Sequence, residues 1–71
     1  MTVGESIRLH RKKQNLTQGQ LAALLSVSVQ AVSKWETDAG LPDVSLIIPL
    51  ASALHITTDE LLCNQIGRAH V

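Results

Sequence analysis

Thr17–Glu36, TQGQLAALLSVSVQAVSKWE, decides the fold. Two helical patterns stand in it, separated only by Ser26-Val27-Ser28. Leu21, Ala22, Leu24 and Leu25 make an apolar face on the first; Val32 and Trp35 make one on the second. So short a break leaves room for a tight turn alone. Two helices of under three turns, joined by about 3–4 residues, form a helix-turn-helix. In that motif the second helix can enter the major groove of DNA while the first crosses the backbone.

The start signals agree. Thr17-x-x-Gln20 reads as a capping box opening the first helix. Ser28 is a good N-cap for the second, since its hydroxyl accepts from a backbone N–H that has no partner inside the helix. Val27, just before that cap, is expected to plug the turn into the core. On the second helix, position separates core from surface. Val32 and Trp35 point inward, Trp35 as a core anchor. Val29, Gln30 and Ser33 turn outward, with Ala31 and Lys34 on the flank. Gln30 is the strongest candidate base reader, because its amide can donate and accept together at adenine N6 and N7. Ser33 can reach a phosphate or a base edge; Lys34 can serve a phosphate or a guanine, and its position favours the phosphate.

Outward from this stretch, 71 residues allow one domain, and a chain so short buries only about 60% of its unfolded surface. Apolar residues are 45% of the chain and Trp35 is its one aromatic. The core is therefore Leu, Ile, Val and Ala around a single indole. Cys63 has no second cysteine to pair with, which fits a reducing cytoplasm. The longest apolar run, Leu46–Ala51, is far shorter than a membrane span and contains Pro49. The N-terminus lacks a secretory apolar region.

The net charge is zero, but it is unevenly spread. Residues 1–34 carry Arg8, Arg11, Lys12, Lys13 and Lys34 against Glu5, a net of +4; residues 35–71 carry Arg68 against five acids, a net of −4. The basic half holds the helix-turn-helix, as an electrostatic footprint on DNA requires. With so few phosphate partners, one copy should bind weakly and lose affinity steeply with salt.

Three further helices are expected. The first covers residues 4–14, with Val3, Ile7, His10 and Gln14 on one face. The fourth runs from about Asp43 to Leu54, burying Val44, Ile47, Leu50, Ala51 and Leu54, with Pro49 causing a kink or a late start. Thr57-x-x-Glu60 is another capping box, opening a short helix over Asp59–Leu62. Leu61, Leu62 and Ile66 are expected to form an apolar patch for a twofold partner. Residues 1–63 make the domain, and 64–71 read as a C-terminal tail or linker remnant. Cys63 and His70 alone cannot make a metal site.

Thr17-Gln18, Leu21-Ala22, Leu25, Val27-Ser28, Val32-Ser33-Lys34-Trp35-Glu36 and Leu41-Pro42-Asp43 together resemble the lambda-repressor/Cro-type helix-turn-helix family, also called XRE. The likeness runs from about Ile7 to Leu62. It implies an all-α, compact bundle of about five short helices that binds double-stranded operator DNA as a dimer. It implies that Arg11 pairs with Glu36, tying the first helix to the third. It implies that Gln18, at the start of the second helix, meets a phosphate and braces the recognition helix. The DNA-binding set is then Gln18, Ser28, Val29, Gln30, Ala31, Ser33 and Lys34. The family's loop after the recognition helix presents N–H groups to phosphates, although Asp38 and Asp43 oppose close approach here. Two positions depart from the family: His10 stands where leucine is usual, and Val29 where a polar or basic residue is usual. An exposed Val29 can pack on a thymine methyl or simply narrow the set of polar contacts. His55 stands where the family often has a left-handed glycine.

The resulting function is a sequence-specific, DNA-binding transcriptional regulator, a cytoplasmic repressor acting on a near-palindrome. The alternative is an antitoxin or protein-interaction module that uses the same fold. No nucleophile–base pair, paired carboxylates, phosphate loop or metal spacing supports an enzyme, and no cofactor is implied.

Overall fold

The computed structural model describes residues 2–66, with side chains described through residue 62. Five α-helices and no strand occur among the described residues: α1 Val3–Lys13, α2 Gln18–Leu25, α3 Val29–Glu36, α4 Val44–Ala53 and α5 Thr58–Ile66. The expected all-α bundle is borne out. Its core is Val3, Ile7, Leu21, Ala22, Leu25, Val32, Trp35, Leu50, Ala51, Leu54 and Leu61, drawn from all five helices. No helix among the described residues is long and apolar enough to cross a membrane.

The starts follow the caps. Thr17 Oγ1 accepts from Gln20 N at 3.0 Å while Gln20 Oε1 accepts from Thr17 N at 2.8 Å. Thr57 and Glu60 repeat the exchange at α5. α1 begins one residue earlier than expected because Thr2 and Glu5 form a third capping box, which closes the first turn from both sides.

The ends share a device that uses no glycine. Asn15, Ser26, Asp38 and His55 all take positive φ, between 58° and 62°. Each lets the next N–H reach back to a helix carbonyl: Leu16 to Arg11, Val27 to Ala22, Ala39 to Lys34 and Ile56 to Ala51, at 2.9–3.1 Å. Such a left-handed terminus usually seats an apolar residue after it against the last turn. Leu16, Val27 and Ile56 do pack on the core. At His55, where the family often has a left-handed glycine, the left-handed geometry is held by a residue with a Cβ.

Several burial expectations fail, each because an amphipathic period marks a face without saying what covers it. Val44 is 86% exposed: it is the first residue of α4, ahead of the turn that docks. Leu24 is 61% exposed, because α2 offers Leu21, Ala22 and Leu25 to its neighbours and no element covers the fourth position. Gln14 caps α1 in solvent, whereas His10 on the same face is half-buried, as suits a residue at the edge of the core. Pro49 lies inside α4 without delaying its start, on the exposed side of the helix. Leu61 is fully buried, because α5 packs it inward where the helix meets α1 and α4. It cannot belong to a surface patch. Leu62 is half-buried against the core, and the side chain of Ile66 lies outside the described residues. α5 continues through Ile66, into the stretch read as tail; the rest of that stretch also lies outside the described residues.

Candidate nucleic-acid interface

α2 and α3 pack on each other across the Ser26–Ser28 turn. Ser28 starts α3 as expected, its Oγ accepting from Ala31 N at 3.1 Å. Val32 and Trp35 are buried on the inner face, with Glu36 beside them. On the outer face Val29 is 43% exposed and Gln30 and Lys34 are exposed, as is Ser28 at the tip. Positions 29 and 33, and 30 and 34, lie one turn apart, so they form one contiguous surface. Ser33 is half-buried on its edge. Ala31 differs from its flank reading: its methyl packs against the core, leaving its outer edge alone at the surface.

The pitch of this surface is fixed by a buried polar knot. Arg11 Nε donates to Glu36 Oε2 at 2.7 Å and Nη2 to Oε1 at 3.0 Å, a bidentate pair. Its side chains are 10% and 4% exposed. Arg11 Nη1 donates to the Leu16 carbonyl at 2.8 Å, satisfying the α1–α2 turn. Gln18 Nε2 donates to Glu36 Oε1 at 3.1 Å. The ion pair and the brace implied by the resemblance are thus both formed, and α1, α2 and α3 meet at one carboxylate. Burial pushes the Glu36 carboxyl up, but hydrogen bonds from Arg11 and Gln18 and the Arg11 charge outweigh it and hold it below the usual glutamate range. The hydrogen bond to Glu36 pushes the Arg11 guanidinium up against its own desolvation.

Gln18 is half-buried at the first position of α2, where backbone N–H groups without helix partners face outward. One of its side-chain N–H groups is committed to Glu36, which leaves the second N–H and the helix end to face an anion. The loop after α3 behaves differently from the resemblance. The N–H groups of Thr37, Asp38, Ala39 and Gly40 are all bonded to carbonyls of Ser33, Lys34 and Trp35. They are not available to phosphates. The two loop acids are also engaged. Asp38 Oδ2 accepts from Thr2 Oγ1 at 3.0 Å, and Asp43 caps α4 through Ser45, whose side-chain and backbone hydrogen bonds hold its carboxyl below the usual range.

Sequence reading missed a second clamp on α3. Gly4 lies where α1 crosses the end of α3: a Cβ there would collide with the Trp35 carbonyl oxygen and stand 2.7 Å from Asp38 Oδ1. Thr2-x-x-Glu5 carried the same capping signature as Thr17-x-x-Gln20 and could have placed the start of α1. The contact of Gly4 with Trp35 spans 31 positions and leaves no local signal. Among the described residues no group of three or more His, Cys, Asp or Glu is placed to hold a metal ion.

A short helix bridged by a tight turn to a second helix, whose polar outer face stands free of the core, defines a helix-turn-helix domain. The chain belongs to the helix-turn-helix family, whose model matches residues 7–61. It is similar to the HTH-type transcriptional activator BcrR of Enterococcus faecalis, 38% identical over 92% of this chain and 32% of that protein. It is also similar to the cryptic phage CTXphi transcriptional repressor RstR of Vibrio cholerae, 36% identical over 86% of this chain and 54% of the relative. The chain thus spans about a third to a half of the length of these relatives. Its fold matches the crystal structure of the Salmonella phage P22 c2 repressor in complex with a synthetic operator, with a TM-score of 0.83 and 35% identity, covering 87% of this chain and 94% of the other. The lambda-repressor-like fold expected from the sequence is borne out.

Proposed function

We propose that this chain is the sequence-specific DNA-binding domain of a cytoplasmic transcriptional regulator, a repressor, that reads the major groove with the outer face of α3 as one half of a dimer. The observation that carries this is the free Val29–Gln30–Ser33–Lys34 surface, held at fixed pitch by the Arg11–Glu36–Gln18 knot, on a fold matching a repressor bound to its operator. RstR and the P22 c2 protein are named as repressors and BcrR as an activator. The sign of regulation follows from where the operator lies relative to the promoter.

In this reading the start of α2, with Gln18, and the Ser28 hydroxyl at the tip of α3 anchor on phosphates. Gln30 pairs with an adenine edge, Val29 lies against a thymine methyl, Ser33 and the edge of Ala31 fill the groove wall, and Lys34 meets a phosphate. Gln30→Ala is expected to lower affinity for a preferred duplex by about 1–3 kcal/mol while leaving binding to random duplex nearly unchanged. Lys34→Ala is expected to weaken both and to reduce the salt slope by about one. Fluorescence anisotropy titrations on the two duplexes over a salt series separate these roles. Equal loss on both duplexes for Gln30→Ala contradicts base reading.

A further inference from the structure

Lys34, the cation on the outer face of α3, is held by the corner that follows it. Its carbonyl accepts from Ala39 N at 2.9 Å, from Gly40 N at 3.3 Å and from Thr37 Oγ1 at 3.3 Å. Its side chain lies against Gly40. Asp38 stands at the bend of this corner with φ 62°, and its side chain leaves the corner for α1. Oδ2 accepts from Thr2 Oγ1 at 3.0 Å, and Oδ1 lies against Gly4, where a Cβ would stand 2.7 Å away. The carboxylate thus sits at the positive end of α1, in space left by a residue without a side chain. Thr2 is itself fixed: its hydroxyl accepts from Glu5 N at 3.1 Å, and its N–H donates to Glu5 Oε1 at 2.9 Å. A continuous set of contacts therefore runs from Lys34 through the corner and Asp38 to the capped start of α1.

We propose that Asp38 is a positioning residue for DNA binding: its carboxylate latches the corner after α3 to the start of α1 and so holds Lys34 on its phosphate. The inference rests on the DNA-reading function above. The sign of the effect sets this role apart. A free acid beside a recognition helix repels the DNA backbone, so removing it raises affinity. A carboxylate turned onto α1 does the reverse. Lysine carries its charge on a flexible four-carbon stem, so its ammonium stays at one phosphate only where its main chain is held. The latch provides that hold in the free protein, and the corner need not be ordered at the moment of binding. The left-handed bend does not itself require an aspartate, since asparagine and glycine adopt it readily. What the Asp38 side chain adds is the contact across to α1.

The test uses the full chain and a preferred duplex, well below the melt of each variant. Asp38→Gly keeps the left-handed bend and deletes the latch; Asp38→Asn removes the same charge and keeps an acceptor. Asp38→Gly is expected to bind about 3- to 10-fold more weakly, the scale of one hydrogen bond, although it removes a negative charge. Asp38→Asn should bind at least as tightly as wild type. In a Lys34→Ala background Asp38→Gly should lose nothing further, because the two act through one contact. Without DNA, the amides of Ala39 and Gly40 should exchange faster by NMR in Asp38→Gly and not in Asp38→Asn. Unchanged or tighter binding by Asp38→Gly overturns the proposal, as does a loss that adds in full to that of Lys34→Ala. An equal loss in Asp38→Asn overturns the hydrogen-bonded latch. Failure of wild type to bind any duplex overturns the DNA reading and the positioning role with it, while amide exchange shows separately whether Asp38 holds the corner.

Discussion

Replacing Glu36 with alanine will destabilise the domain by about 3–5 kcal/mol, the effect of leaving a buried charge without its partner. Arg11 would keep its bond to the Leu16 carbonyl but lose both carboxylate bonds, and Gln18 would lose its acceptor. In a domain of this size each kcal/mol lowers Tm by about 4–8 °C, so the melt should fall by well over 10 °C. Arg11→Ala should act similarly. Arg11→Met combined with Glu36→Leu should lose less than the two alanine variants together, since no lone charge is left inside. An additive loss would contradict the coupling. The pair also sets an acid limit. The folded Glu36 carboxyl lies below its unfolded value of about 4.3, so its contribution is fully present above that pH. It is lost as pH falls through the depressed folded value. Wild type should therefore lose stability on acidification below about pH 4.3, and Glu36→Gln should flatten that dependence.

Gly4→Ala will be the second large loss, about 1–3 kcal/mol, although alanine is the better helix former. Its methyl has no space: the obstacle is backbone at Trp35 and the engaged carboxylate of Asp38, neither of which can swing away freely. The same change at Gly19 should have the opposite sign. There the nearest atom is Thr17 Oγ1 at 3.8 Å, so the gain in helix propensity, up to about 1 kcal/mol, is unopposed. Thermal or urea melts of the two variants check the pair. A stabilised Gly4→Ala would mean that α1 and α3 are not pressed together at this point.

What was legible in the sequence was local chemistry. Thr17, Ser28 and Thr57 announce helix starts because a hydroxyl bonded to backbone N–H groups three residues on needs only short-range geometry. The Ser26–Ser28 break and the inward Val32 and Trp35 followed from period alone. Arg11 and Glu36, 25 positions apart, became readable only through resemblance. Misreadings fell where a neighbour had to be known. Val44 and Leu61 are both apolar at helical spacing, yet one stands in solvent and the other is sealed. The difference lies in which turn of α4 docks and in how α5 meets α1. Nothing local marks Gly4, whose constraint comes from the Trp35 carbonyl packed against it. At the candidate interface, position on α3 was legible for Gln30 and Lys34. Gln18's commitment to Glu36 came from resemblance, and the engaged N–H groups of the 37–40 loop were not foreseen.

In the proposed function the outer face of α3 reads DNA sequence. Selection of bound duplexes from a random pool, at low and at physiological salt, followed by sequencing, tests it most directly. Enrichment of a near-palindrome is expected, with half-sites at a fixed separation near one helical turn and adenine–thymine preference at the Gln30–Val29 positions. Uniform recovery at both salt levels, with only weak salt-sensitive retention, would contradict it.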